Sequence, residues 1–192
     1  MTVHRDVAPA KLNLALHVRG KLPDGRHAIE TVFAFCADGD RLSAEPADEI
    51  SLAASGQFAA DLPDAGDNLV VRAARALREA AGIDPGAAIG LDKRLPVASG
   101  IGGGSSDAGA ALRLLTSLWQ IDPKHAEVVA PGLGSDVPAC LLAMPARGEG
   151  AGDVLTPVSL PELAGAPALL VNPRVPLSTG AVFDISGGRA TY

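Results

Sequence analysis

Cysteine is scarce in this chain. Cys36 and Cys140 are the two among 192 residues, too few for a disulfide framework or a cysteine metal cluster. A reducing, cytoplasmic setting is the plain expectation. Aromatic residues amount to 3%, so packing must rely on small side chains, Leu and Val, with close backbone approach. No apolar run reaches the roughly 20 residues of a membrane span. Met1 to Lys11 carries charges and no long apolar stretch, so no signal peptide is expected. Positive charge is also in deficit, at a net −6. That argues against a nucleic-acid backbone as the main partner. It does not exclude a phosphorylated small molecule, because backbone N–H groups and one or two cations can hold a single anion.

The length suits one domain or two interlocked lobes. Leu12, Leu14, Leu16 and Val18 alternate, which predicts a half-buried strand over 12–18, with His17 on the opposite side. Pro23-Asp-Gly25 marks a turn. Thr31–Cys36 is β-branched and aromatic and predicts a second strand. Arg41–Glu45 and Glu49–Ser55 read as further short strands parted by Pro46. Asp67–Ala81 has a helical stripe, with Asp67 as its cap and Gly82 as its stop. Ala88–Leu95 predicts a strand, Ser105–Trp119 a helix, and another helix starts near Asp136 and runs through Leu142. Ala168–Asn172 suggests a buried strand. Strands come first and helices mix in later, a pattern that suggests α+β.

The most informative segment is Pro96-Val97-Ala98-Ser99-Gly100-Ile101-Gly102-Gly103-Gly104-Ser105-Ser106. So many glycines cost backbone entropy on folding; a chain keeps them where the backbone bends sharply or a ligand comes close. A helix follows at once, and its first N–H groups lack intrahelical partners. Loop and helix start together make a phosphate cradle, to which Ser105 and Ser106 add hydroxyls. The segment is neither a Walker A loop nor Gly-x-Gly-x-x-Gly. A Gly-rich connector is the bland alternative. Lys11 alone reads as a surface lysine, Asp136 as a helix cap, His27 as a loop histidine and Asn68 as a helix starter. Cys36 and Cys140 lie in apolar runs and read as buried thiols.

Four segments in order, Pro9-Ala-Lys-Leu-Asn13, Pro23-Asp-Gly-Arg-His27, Pro96–Ser106 and Gly134-Ser-Asp-Val-Pro138, resemble the motifs of the GHMP kinases. Within that superfamily they are most similar to the kinases that act on 4-diphosphocytidyl-2-C-methyl-D-erythritol, in the non-mevalonate route to isoprenoid precursors. The resemblance runs from about Val7 to about Phe183. It implies an α+β GHMP kinase N-terminal domain of the ribosomal protein S5 domain 2-like kind over 1–160. It also implies the start of a ferredoxin-like C-terminal subdomain, largely missing, over 161–192.

The resemblance further implies an ATP-dependent small-molecule kinase with Mg²⁺ bridging the β- and γ-phosphates. Lys11 and Asp136 match the catalytic pair. Asn13 and His27 match substrate contacts. Asn68 and Lys93 match residues near the nucleotide's base and ribose, and Pro96 to Ser106 matches the triphosphate loop. Arg26 stands where the family often has a Tyr that stacks on cytosine, and Arg can also cover a flat ring; Phe183 would cover the other face. No residue is assigned as a metal ligand. The implied partners are the cytidine diphosphate substrate and ATP, with no nucleic acid and no membrane. Two other readings remain: another GHMP small-molecule kinase, or a nucleotide-binding fragment without turnover.

Overall fold

The computed structural model describes residues 3–64 and 66–172. Phe183 and the rest of the tail lie outside the described residues. The chain opens with two long strands, β1 (His4–Lys21) and β2 (His27–Ala47), and a short one, β3 (Ile50–Ser55). Then come α1 (Leu69–Ala81), β4 (Gly86–Asp92), α2 (Gly103–Trp119), α3 (Lys124–Leu133), α4 (Val137–Leu142), β5 (Ala146–Glu149) and β6 (Val154–Pro157). The strands form a six-stranded sheet ordered β3-β4-β2-β5-β6, with β1 paired to β2. All pairings are antiparallel except β3 with β4.

Helices α1 and α2 cover the sheet through one apolar cluster. Leu42, Ala44, Ile89 and Leu91 on the strands meet Val70, Leu77, Leu112 and Leu115 on the helices. Ala108, Ala110 and Ala111 are fully buried in α2. Small residues there let the helix lie close to its neighbours, as the poverty in aromatics requires.

Several expectations are corrected. Arg41–Glu45 is not a separate strand but part of β2, which runs on through Pro46. Pro46 pairs with Ala87 of β4, while the register with β1 ends at Ala44, so its missing N–H costs no ladder bond to β1. The Leu face of β1 is not half-buried throughout: Leu14 is 46% and Leu16 40% exposed. Register shifts at Pro9/Lys11, Asn13/Ala15 and Val18/Gly20 break the alternation on which that reading depended. The cap of α1 is Asn68, whose side chain accepts from Val70 N, and not Asp67.

Ala168–Asn172 forms no strand; Leu169 is 90% and Val171 80% exposed. Cys140 is buried as expected, but Cys36 is only half-buried. Helix α3 and strands β5 and β6 had no expectation behind them. Pro131 masks α3 as a sequence signal, yet it sits in the last turn, where the lost N–H removes only one bond.

Candidate active site

The first register shift in β1 sets the site. Between the pairs Pro9↔Gly39 and Lys11↔Phe35 one residue of β1, Ala10, faces three of β2, Cys36, Ala37 and Asp38, so the extra residues of this bulge lie on β2. Ala10 and Lys11 are consequently both buried although they are adjacent. A bulge breaks the ladder locally and re-aims side chains beside it, and here Lys11 lies next to the bulge of the facing strand.

Lys11 is 3% exposed, and its ammonium is held on several sides. Nζ donates to Asn13 Oδ1 at 2.7 Å and lies 3.2 Å from Asp136 Oδ2. It also stands 5.1 Å from the centre of the Phe33 ring. Asn13 in turn donates through Nδ2 to Thr31 Oγ1, and the Thr31 hydroxyl donates to the Ala15 carbonyl. Asn13 therefore has its amide oxygen committed to Lys11 and its nitrogen to Thr31.

Asp136 occupies the cap position of α4, but its side chain makes no cap hydrogen bond. The bland cap reading fails: the carboxylate turns to Lys11 instead, and it keeps 36% side-chain exposure. A buried ammonium with a solvent-facing carboxylate can bind an anion beside a group that accepts a proton.

The glycine segment reaches the same point. Lys11 N donates to Ile101 O at 2.9 Å. Gly102 has φ +68°, and a Cβ there would lie 2.9 Å from Lys11 Cε, so the loop touches the lysine stem. Helix α2 begins at Gly103, two residues earlier than its sequence pattern predicts. Around Gly104 a Cβ would meet nothing within 4 Å, so this glycine faces open space. Pro96, Val97, Ala98, Ser99 and Gly100 form the loop before it, with Ala98 and Gly100 both at positive φ. The Ser99 hydroxyl donates to Pro96 O. Ser106 is turned away from the loop mouth: it is fully buried, and its hydroxyl donates to Pro9 O at 2.7 Å.

Asn68, Lys93, Val97, Gly104 and Asp107 line a small cleft of about 140 Å³ beside the loop. Lys93, matched by resemblance with Asn68 to residues near the nucleotide's base and ribose, is 1% exposed and already engaged. Its ammonium bridges Asp40 Oδ2 at 2.5 Å and Asp107 Oδ2 at 2.7 Å. Asp40 also accepts the N–H groups of Arg94 and Leu95. Asp107 Oδ1 is buried without a hydrogen-bond partner. Burial, with the charge of Asp40 added and that of Lys93 opposing, pushes the Asp107 carboxyl up to about 7. Below Gly103, a Cβ would lie 3.2 Å from Lys93 Nζ. The ion group thus supports the start of α2 from beneath.

Sequence reading missed Asp40 and Asp107. A signal existed: Ile89, Leu91, Lys93 and Leu95 alternate as buried positions, so Lys93 lies in the inward register and needs buried carboxylates.

Arg26 and His27 lie at the far end of the β1–β2 hairpin, where Lys21 pairs with His27. The Arg26 guanidinium meets Asp24 at 2.8 Å and Asp153 at 3.1 Å. The structure therefore does not gather Arg26 and His27 with Lys11; His27 lies eight positions along β2 from Phe35, the partner of Lys11. That is about 26 Å of strand if straight. A groove of about 980 Å³ runs along α2, α3 and α4 past Arg113, Ile121, Ala130 and Leu155, and none of the residues assigned a catalytic, nucleotide or substrate role in the sequence lines it. Among the described residues, no three His, Cys, Asp or Glu side chains converge as metal ligands.

Comparison with known proteins agrees with this geometry. Residues 68–144, which span α1, the loop, α2 and Asp136, match the family model described as GHMP kinases N terminal domain. The chain is 53% identical over 190 residues to a protein of Hyphomonas neptunium named 4-diphosphocytidyl-2-C-methyl-D-erythritol kinase, covering 96% of this chain and 63% of that one. It is 49% identical to the protein of the same name from Paramagnetospirillum magneticum, covering 98% and 66%. A crystal structure of 4-(cytidine 5'-diphospho)-2C-methyl-D-erythritol kinase superposes with a TM-score of 0.67 at 40% identity, over 82% of this chain and 56% of that one. A homoserine kinase from Cytophaga hutchinsonii shares the fold at a TM-score of 0.60 and 22% identity. The chain spans less than two thirds of the length of the curated relatives it matches.

Proposed function

Taking as premise that the chain carries a GHMP kinase N-terminal domain on an α+β fold, we propose that it serves ATP-dependent phosphorylation of the 2-hydroxyl of 4-diphosphocytidyl-2-C-methyl-D-erythritol. The observation that carries this reading is the Lys11–Asp136 pair packed against the glycine loop at the start of α2. The names of the relatives supply the substrate. A cytoplasmic setting belongs to the same reading; among the described residues, no helix is long and apolar enough to cross a membrane.

The residues divide the work. The free N–H groups at Gly103, Gly104 and Ser105 receive the nucleotide's phosphates, where the helix dipole favours negative charge. An Mg²⁺ brought in by ATP, rather than held by a protein cluster, would supply charge neutralisation at the phosphates. Asp136 accepts the proton of the acceptor hydroxyl as its oxygen bonds to the γ-phosphorus. The bond from that phosphorus to the β,γ-bridging oxygen breaks, and ADP leaves with the electron pair. Lys11 holds positive charge at the transferring phosphoryl group, in line with the electrostatic character of such catalysis. Asn13 orients Lys11, and the distance along the hairpin to His27 suits an extended ligand with its base remote from the reacting hydroxyl.

The alternative outcome is nucleotide binding without turnover. Two variants separate the readings. Gly104→Val places a side chain in open space at the helix start and should abolish ATP binding in calorimetry, with the fold retained in circular dichroism. Asp136→Asn should keep ATP affinity and lose turnover by about 10²–10⁴-fold, the usual worth of a positioned base. Unchanged ATP affinity in folded Gly104→Val sinks the phosphate assignment. ATP binding with no phosphoryl transfer by the unmutated chain selects the second reading.

A further inference from the structure

Helix α4 has six residues, too few to hold its own orientation, yet Asp136 at its start must meet Lys11. Two positions on α2, one turn apart, hold it. At Gly109 the backbones touch: a Cβ would lie 2.6 Å from the Cys140 carbonyl carbon and 2.7 Å from Leu141 N. Four residues on, Arg113 spends its guanidinium on the same junction. Nη1 donates to the carbonyls of Cys140 at 2.7 Å and Leu141 at 3.2 Å. Nη2 donates to Val7 O at 3.0 Å, and Nε to Asp6 Oδ2 at 2.8 Å.

These contacts have a common logic. The carbonyls of a helix's last turn lack intrahelical partners, and a cation there complements the dipole. Asp6 and Val7 belong to β1, five and four residues before Lys11. A single planar fork therefore ties the end of α4 to the strand that carries Lys11, while the start of α4 carries Asp136. A lysine could not span four acceptors in this way.

We propose that Arg113, with Gly109 admitting the close approach, is the positioning residue that holds α4 against β1 so that Asp136 meets Lys11. The inference rests on reading Lys11 and Asp136 as the working pair. It goes beyond stability, since it predicts that loss of Arg113 loosens that ion pair in particular.

The test follows the Lys11 ammonium protons by ¹⁵N NMR in the full chain, which needs no turnover. Arg113→Met should speed their exchange with water by about tenfold, the worth of one charge-assisted hydrogen bond. Arg113→Lys should do so by less. In an Asp136→Asn background, Arg113→Met should add no further acceleration. Equal acceleration in both backgrounds, or none in either, overturns the proposal: Arg113 would then only add stability. If Asp136→Asn alone leaves Lys11 exchange unchanged, the pair itself is refuted, and the proposal falls with it for a separately visible reason. Should Arg113→Met fail to fold, Arg113→Lys and Asp6→Asn, which removes one of the four anchors, carry the same comparison.

Discussion

The buried group of Lys93 with Asp40 and Asp107 makes a prediction that involves no ligand. Two carboxylates share one ammonium, which leaves one negative charge in excess in a buried place. Asp40 is the better satisfied, accepting Lys93 Nζ and two backbone N–H groups. Asp107 receives Lys93 alone, and its Oδ1 has no partner. Replacing Asp107 by Asn keeps the shape and an oxygen for Lys93, and balances Lys93 against Asp40 one to one.

The sign of the pH effect follows from the direction of the shift. Burial raises the Asp107 carboxyl from 3.8 to about 7 in the folded chain. Between those values the unfolded chain has released the proton and the folded chain has kept it. The folded state then binds more protons, so this carboxyl's contribution to stability falls as pH rises through the window and levels off above about 7. Each pH unit is worth about 1.4 kcal/mol, so the full interval sets a ceiling of about 4 kcal/mol. Exposed carboxylates such as Asp24 and Glu30, whose arginine partners lower them, act in the opposite sense and cancel in a comparison of two variants. Urea unfolding of the unmutated chain and Asp107→Asn at pH 4.5, 6, 7 and 8 measures the difference. Asp107→Asn should gain on the unmutated chain as pH rises from 4.5 to 7, then hold level. A difference that stays constant across the range, or that moves the other way, refutes the account of Asp107 as the strained carboxylate.

Two further outcomes are expected. Asn68→Ala removes the side chain that accepts from Val70 N and should cost about 1 kcal/mol in urea unfolding; no loss would mean that water replaces the cap. Cys140, fully buried and with its thiol pushed up to about 12 by burial, should resist a thiol reagent that labels the half-buried Cys36 in the native chain; equal rates would contradict the packing of α4 on α2.

Local pattern reads well in this chain where side-chain spacing and backbone geometry agree. Helix α1 shows its stripe and its Gly82 stop, and Gly82 adopts φ +63° as a helix terminator does. The glycine loop reads equally well, because Gly residues at such density have few other uses. The strands read less well. β1 looked like one alternating face, but three register shifts redistribute its side chains, and no single-strand pattern records where the partner strand slips. The pairing of β2 with β1, β4 and β5 is long-range, so Pro46 looked like a break when it is a residue without a donor, paired with Ala87 of β4 where the pairing with β1 has already ended.

The candidate site was legible for a different reason. Lys11 and Asp136 are 125 residues apart in sequence, and neither has a local signature stronger than its ordinary alternative. Resemblance supplied the pairing, and the structure supplies its cause: a bulge turns Lys11 inward, Asn13 and Thr31 hold it, and Asp136 leaves its cap role to reach it. The same comparison adds a structural role for Lys93, which also lines the cleft beside the loop. A lysine near a phosphate loop suggests a ligand contact, but its inward register and its two carboxylates make it part of the support under α2. Positive charge near an anion site can act directly, the role proposed for Lys11, or hold the backbone that acts, the role its contacts suit Lys93 for. Burial together with prior partners decides which: Lys11 has one carboxylate with an open face, whereas Lys93 has two that are closed.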